Sequence, residues 1–398
     1  MAKYLFCWEL GQGLGHLVRY RASVDKLIAE GHDVHYLARD ERRVRLVNPQ
    51  KTLQVTEIQP EFIDQAERIR QPASASPATL LNNCGFFSAE RLAARAQEWM
   101  QWIMQIKPDC IVADHSPTAV FANKFLGVPL ILSGNGFTAP PAEKPFRLFQ
   151  YWRFSPNDDS IRFETQVTQV LNEAAKLLDA GNVAFEHPCE LFQGEQRWLM
   201  TFAEFDCYGP RANCDDYMGT FVQQDFGEEF VWPRAPGPKV FAYLSKTRGL
   251  DYLAEWARVT EASVCLCGVN LPPAALQGFD SERIYFAGRA VKLRYVFQSA
   301  DLAITNGSAN TVANFALAGI PQLALPQSVE NLMEARRLEI LGCGLIANLS
   351  DAEQFGRGLN ALVANRDFRR AARRLQQKYQ NQDEHSATEL LYNQLLSL

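Results

Sequence analysis

A short apolar run, YLFCW at residues 4–8, breaks into the glycine loop ELGQGLGH and then into apolar positions at helical spacing. Leu17, Tyr20, Val24, Leu27 and Ile28 share one helical face, and Gly31 stands where such a helix should stop. DVHYLA (33–38) then alternates as a strand does. Strand, loop, helix and strand open a βαβ unit. This constrains the chain strongly, because parallel strands need crossover helices that cover the sheet.

The pattern recurs. Ser88 is placed to cap a helix carrying Leu92, Trp99, Trp102, Ile103 and Ile106, and KPDCIVAD (107–114) follows as a strand ending in Asp114. A short helix (117–126) and the strand GVPLILS complete this part. VWPRAPGPK (231–239), with three prolines and a glycine, reads as a linker. The alternation then restarts, with strands at 240–244, 263–267, 283–286, 301–305, 322–325 and 344–348, and helices at 249–259, 291–299, 309–318 and 329–341. The expected fold class is therefore α/β, with two doubly wound domains, and 398 residues suffice for both cores. Domain 1–230, linker 231–239 and domain 240–380 precede an amphipathic helix at 381–398 with Leu391, Leu395 and Leu398 on one face. Stretches 70–90 and 134–165 read as long irregular loops, whose aromatics Phe86, Phe87, Phe137 and Trp152, with Trp99 and Trp102, suit an apolar ligand or a core.

A net charge of −5 gives no electrostatic case for nucleic acid. The nine cysteines include no C-x-x-C pair and read as reduced thiols of a cytoplasmic protein. The first apolar run breaks at Glu9, too early for a signal peptide, and no run approaches the roughly 18 apolar residues of a membrane span. Arg366, Arg369, Arg370, Arg373 and Arg374 surround Phe368 and Leu375. A solvated helix face is the default reading; peripheral contact with anionic lipid is the other.

The glycine loop resembles the dinucleotide fingerprint G-x-G-x-x-G at Gly11 and Gly13, but His16 takes the third position. A third glycine lets the helix pack closely on the sheet, so histidine there weakens a nicotinamide-dependent reading, even with Asp40 available for a ribose. Gly13 and Gly15 instead give a ligand close access, and His16 opens a helix where an imidazole can serve as a base or cap its own helix. Asp114 ends its strand at the carboxyl edge, where open α/β sheets bind ligands, and can orient His16; His115 competes for that part, and capping is the alternative for Asp114. In the second half, Asn306, Gly307 and Ser308 form a tight turn onto a helix start, an anion site to which Ser308 and Thr311 add hydroxyls. Glu330 and Asn331 in PQSVEN offer an acceptor and an amide suited to sugar hydroxyls. No D-x-D motif or His/Cys cluster of ligand spacing occurs, so no metal is expected.

Three stretches together resemble glycosyltransferases of the two-domain B fold, in the bacterial family 1 group that includes UDP-glucuronosyltransferases and macrolide transferases. They are GLGHLVRYRASVDKLIAEGHDVHYLA, KPDCIVADHSPTAVFANKFLGVPLI, and residues 301–344 through LEILGCG. The resemblance implies two Rossmann-like domains facing across a cleft and a C-terminal helix returning to the first. It implies an inverting, metal-independent hexosyltransferase, with a UDP- or dTDP-linked sugar as co-substrate and no other cofactor. The acceptor would be a small molecule or lipid, and the enzyme a monomer or homodimer. His16 would be the base, Asp114 its partner, the turn at 307–311 the diphosphate site, Asn314 the ribose contact, and Glu330 and Asn331 the sugar contacts. The chain departs from the family's H-G-G-x-G-T at Asn306, Ser308 and Asn310, and has Asn314 where the family has glutamate. Lys246, Arg248 and Arg289 could supply phosphate charge. A nucleotide-sugar epimerase of this fold, and a nucleotide-sugar-binding protein without activity, are the alternatives.

Overall fold

The computed structural model describes residues 1–398 except 12, 180–182, 212–216, 221–223, 225–226, 245–248, 269–270, 272–278, 382–383 and 398. The chain divides into two compact units: Met1–Met200 with Arg211–Gly219 and His385–Leu398, and Thr201–Pro210 with Thr220–Glu384.

Each unit is built on one parallel six-stranded sheet. In the first, β1 (Lys3–Trp8), β2 (Asp33–Ala38), β3 (Gln54–Glu57), β4 (Cys110–Asp114), β5 (Leu130–Gly134) and β6 (Gln196–Leu199) lie in the order β3-β2-β1-β4-β5-β6. The second, of β7 (Lys239–Leu244), β8 (Ser263–Gly268), β9 (Ile284–Ala287), β10 (Leu302–Thr305), β11 (Gln322–Ala324) and β12 (Gly344–Ile346), runs β12-β11-β10-β7-β8-β9. Both are doubly wound, so each has a point where the winding reverses: between β1 and β4, and between β7 and β10. Ligands of open α/β sheets bind at such points, beyond the carboxyl ends of the strands. Trp8, Asp114 and Ser133 are aligned there in the first sheet.

Continuous apolar runs give strands buried on both faces, as CIVAD and LILSG are throughout. Leu92, Trp99, Ile103 and Ile106 of helix Ala89–Ile106 pack into one core with Leu5, Ile111 and Leu132; each such side chain contributes about 1.5–3 kcal/mol by leaving water. Phe86 belongs to this core and Trp102 packs against it, so these aromatics, with Trp99, fill the interior rather than a pocket. Helix Glu384–Leu396 packs on the first unit, where Leu391 and Leu395 are buried and Tyr4 Oη donates to Leu395 O at 3.0 Å; Leu398 lies outside the described residues.

Two expectations change, and the basic helix keeps its solvated face. Stretch 70–90 contains the helix Pro77–Asn83, and stretch 134–165 contains the start of the 20-residue helix Asp158–Leu177. The second begins at a capping box, Asn157 with Ser160, and at the first Thr79 Oγ1 accepts from Ser76 N at 2.9 Å, signals that polar composition hides. The proline-rich stretch 231–239 packs with the second unit rather than standing free: Trp232 lies against its core and donates from Nε1 to Ser299 Oγ at 2.8 Å. The basic helix Arg366–Lys378 spends its apolar face internally, burying Ala371, Ala372 and Leu375, while Arg369 pairs with Asp301. No described helix is long and apolar enough to cross a membrane.

Candidate active site

β1 ends at Trp8 and the glycine loop crosses the carboxyl edge of the sheet, held by Leu10 N donating to His115 O at 2.9 Å. The helix expected after it is split into Gly15–Val18 and Arg21–Ala29. His16, Arg19 and Tyr20, spaced i, i+3 and i+4, converge on Asp114 at the end of β4. His16 Nδ1 lies 2.9 Å from Asp114 Oδ1, Tyr20 Oη donates to Oδ2 at 2.9 Å, and Arg19 Nη1 stands 3.6 Å from Oδ2. Tyr20 Oη is also 2.5 Å from Ser133 Oγ.

Burial alone would raise the Asp114 carboxyl. The charges of Arg19 and His16 and the hydrogen bonds from His16 and Tyr20 outweigh it and hold the group below its ordinary value. An ionised carboxylate only accepts, so Nδ1 must carry the proton toward Asp114, and the lone pair belongs to Nε2. Nε2 faces Gly11, whose φ is +81°. A Cβ there would sit 2.4 Å from Nε2, so the loop passes over the ring only because this residue has no side chain. Gly11→Ala is therefore expected to turn the His16 ring from its partner and strain the backbone. A lower melting temperature by scanning calorimetry and a shifted His16 resonance in histidine-detected NMR would register it; an unchanged spectrum would refute the contact.

His115 does not compete for Asp114. Its ring stacks on His16, centroids 5.8 Å apart, and neither of its buried ring nitrogens has a hydrogen-bond partner. Burial, then the neighbouring His16, pushes its pKa down to about 3, so it stays neutral. Asp40 does not await a ribose: it caps helix Glu41–Val47, accepting from Arg43 N at 2.9 Å.

In the second unit β10 leads into the turn Asn306–Ser308 and helix Ala309–Leu317. Asn306 Oδ1 accepts from Ser308 N at 3.1 Å, and Ser308 Oγ lies 2.8 Å from Thr311 Oγ1. Gly307, at φ +79°, lies against the start of the next helix: a Cβ would meet Asn331 O at 2.9 Å. The structure thus brings the 306–311 turn together with the Glu330–Asn331 pair, at the winding reversal of the second sheet. The first N–H groups of a helix have no acceptor within it, which makes this start suitable for an anion. Asn314 is largely buried on the same helix and accepts from Thr220 Oγ1 at 2.8 Å. Arg289 is not gathered into this group; it forms an exposed ion pair with Glu228 at 3.3 Å. Lys246 and Arg248 lie outside the described residues.

Residues 3–138 match the family model described as glycosyl transferase family 1. The calicheamicin glycosyltransferase CalG4 is similar over 100% of this chain and 98% of its own, at 18% identity and a TM-score of 0.74. The spinosyn rhamnosyltransferase SpnG is similar over 99% of each chain, at 16% identity and a TM-score of 0.68. SnogD, a glycosyltransferase from Streptomyces nogalater, is similar over 98% of this chain and 99% of its own, at 17% identity and a TM-score of 0.61. The fold is the glycosyltransferase B fold. Family match and fold agree on a glycosyltransferase. Among curated proteins none matches the sequence.

Two residues of this site were not singled out from the sequence. Arg19 and Tyr20 look like ordinary helix positions, yet both serve Asp114. Their signal was the i+3, i+4 spacing from His16, which places all three on one face.

Proposed function

We propose that the chain is an inverting, metal-independent glycosyltransferase that moves a sugar from a dTDP- or UDP-linked donor to a hydroxyl of a small-molecule or lipid acceptor. The observation that carries this is the 2.9 Å bond between His16 Nδ1 and Asp114 Oδ1, which leaves Nε2 as the basic atom. His16 Nε2 takes the proton of the acceptor hydroxyl as its oxygen bonds to the anomeric carbon. The bond from that carbon to the diphosphate breaks on the opposite face, which inverts the centre. Asp114 stabilises the imidazolium that forms. The leaving diphosphate is met by the helix start at Ala309 with Ser308 and Thr311, while Glu330 and Asn331 hold the sugar.

The dTDP choice is supported by structural neighbours described in complex with that nucleotide: SpnG with thymidine diphosphate and VinC with dTDP. SpnG is also described with spinosyn aglycone, which supports a small-molecule acceptor. The eight described cysteines are free and buried, as suits a reducing compartment such as the cytoplasm.

A thermal-shift comparison of dTDP, UDP and NAD tests the reading. A nucleotide at a hundred times its Kd stabilises by about 2.7 kcal/mol, a plain upward shift. Stabilisation by dTDP or UDP, lost in Gly307→Val, is the expected result; a shift with NAD alone would sink the proposal.

A further inference from the structure

The carboxyl edge of the first sheet carries surplus positive charge beside His16. Arg39 follows β2 and donates from Nη1 to Gly11 O at 2.9 Å, the same glycine that faces His16 Nε2. Arg68 comes from the segment after β3. That segment is fastened to helix Pro77–Asn83: the Asn83 side chain accepts from Ile69 N at 3.0 Å and donates to Ile69 O at 2.9 Å. Arg39 and Arg68 both lie over the partly exposed ring of Phe62, at 5.8 and 5.6 Å from its centroid. Burial pushes the Cys84 thiol up to about 12, against the nearby positive charges of Arg68, Arg95 and Arg39.

Three carboxylates nearby are committed elsewhere. Glu61 pairs with Arg91 at 2.7 Å and Arg95 at 2.8 Å. Glu9 accepts from Thr118 N at 2.9 Å and Thr118 Oγ1 at 2.5 Å, and burial raises its pKa, which weakens it as a counter-charge. Asp40 pairs with Arg43 at 3.1 Å. Among the described residues, Arg39 and Arg68 make no ion pair, and Arg68, with Nε buried, makes no hydrogen bond. Half-buried guanidiniums without a counter-charge are costly unless something else supplies it.

We infer that Arg39 and Arg68 bind an anionic group of the acceptor, a carboxylate or phosphate ester, with its apolar body against Phe62 and its hydroxyl at His16. This rests on the acceptor reading of the His16 loop. Guanidiniums match both anions in a bidentate manner, so either group fits.

The test measures binding without donor, by calorimetric titration of 4-hydroxybenzoate, 4-hydroxyphenyl phosphate and the neutral methyl 4-hydroxybenzoate. The wild type is expected to bind the anions about tenfold or more tightly than the ester, as charge-assisted bonds imply. Whichever anion binds more tightly names the group. In Arg39→Met and Arg68→Met the anion affinities should fall toward that of the ester, whose own affinity stays put. Equal binding of ester and anions by the wild type, or no binding of any of the three, overturns the inference, and neither outcome depends on the variants folding. An anion preference without sugar transfer would count against the transferase reading alone. Transfer to the ester without an anion preference would count against this inference alone.

Discussion

His16→Ala is expected to lower sugar transfer by about 10²–10⁴-fold, the usual worth of a positioned base. The reason is geometric. His16 presents Nε2 toward the glycine loop, where the acceptor is proposed to bind, while Nδ1 is bonded to Asp114, so the atom left to take a proton is Nε2. Binding of dTDP or UDP should be unchanged, because the turn at Asn306–Ser308 belongs to the other unit. Steady-state transfer assays beside nucleotide titrations separate the two effects. Full activity in His16→Ala would mean that another group removes the proton. Weakened nucleotide binding would mean that His16 serves the donor.

Asp114 should show the second large effect, on both activity and stability. Asp114→Asn keeps the shape but removes the charge, and the amide can present either a donor or an acceptor to Nδ1. A loss of about 10²–10⁴-fold in kcat is expected, as when a triad carboxylate becomes an amide. Asp114→Ala also leaves the buried Arg19 guanidinium 3.6 Å from an empty place and removes the acceptor of Tyr20 Oη. Breaking a buried pair on one side costs about 3–5 kcal/mol, visible as a lower urea midpoint. The pH dependence has a definite sign. The folded pKa of Asp114 is lowered, so its contribution is fully present above the unfolded value of about 3.9 and is lost as pH falls through the folded value. Urea midpoints taken from pH 6 downward should therefore fall less steeply below pH 4 in Asp114→Asn than in the wild type. Parallel curves would show that the carboxylate is not stabilised by its neighbours.

What could be read in advance follows the range of each signal. DVHYLA forms β2 over its whole length, and Ser88 caps its helix by accepting from Arg91 N, because alternation and capping act over a few residues. The helix Asp158–Leu177 was lost among the polar and aromatic residues of its stretch, although Asn157 and Ser160 form a capping box. QRWL, β6, was also missed, since a four-residue edge strand carries too few positions to show a period.

The sequence by itself determined the two alternating α/β halves, the place of Asp114 at a strand end, and the small-residue turn at Asn306–Ser308. These depend on local spacing. Tertiary structure decided what those residues meet. His16 and Asp114 are 98 positions apart and touch because β1 and β4 are neighbours, and strand order follows from how crossover helices pack. The same packing put Arg19 and Tyr20 on Asp114 and brought Arg39 to Gly11. Periodicity says which face a residue occupies; only the packed sheet says what stands opposite.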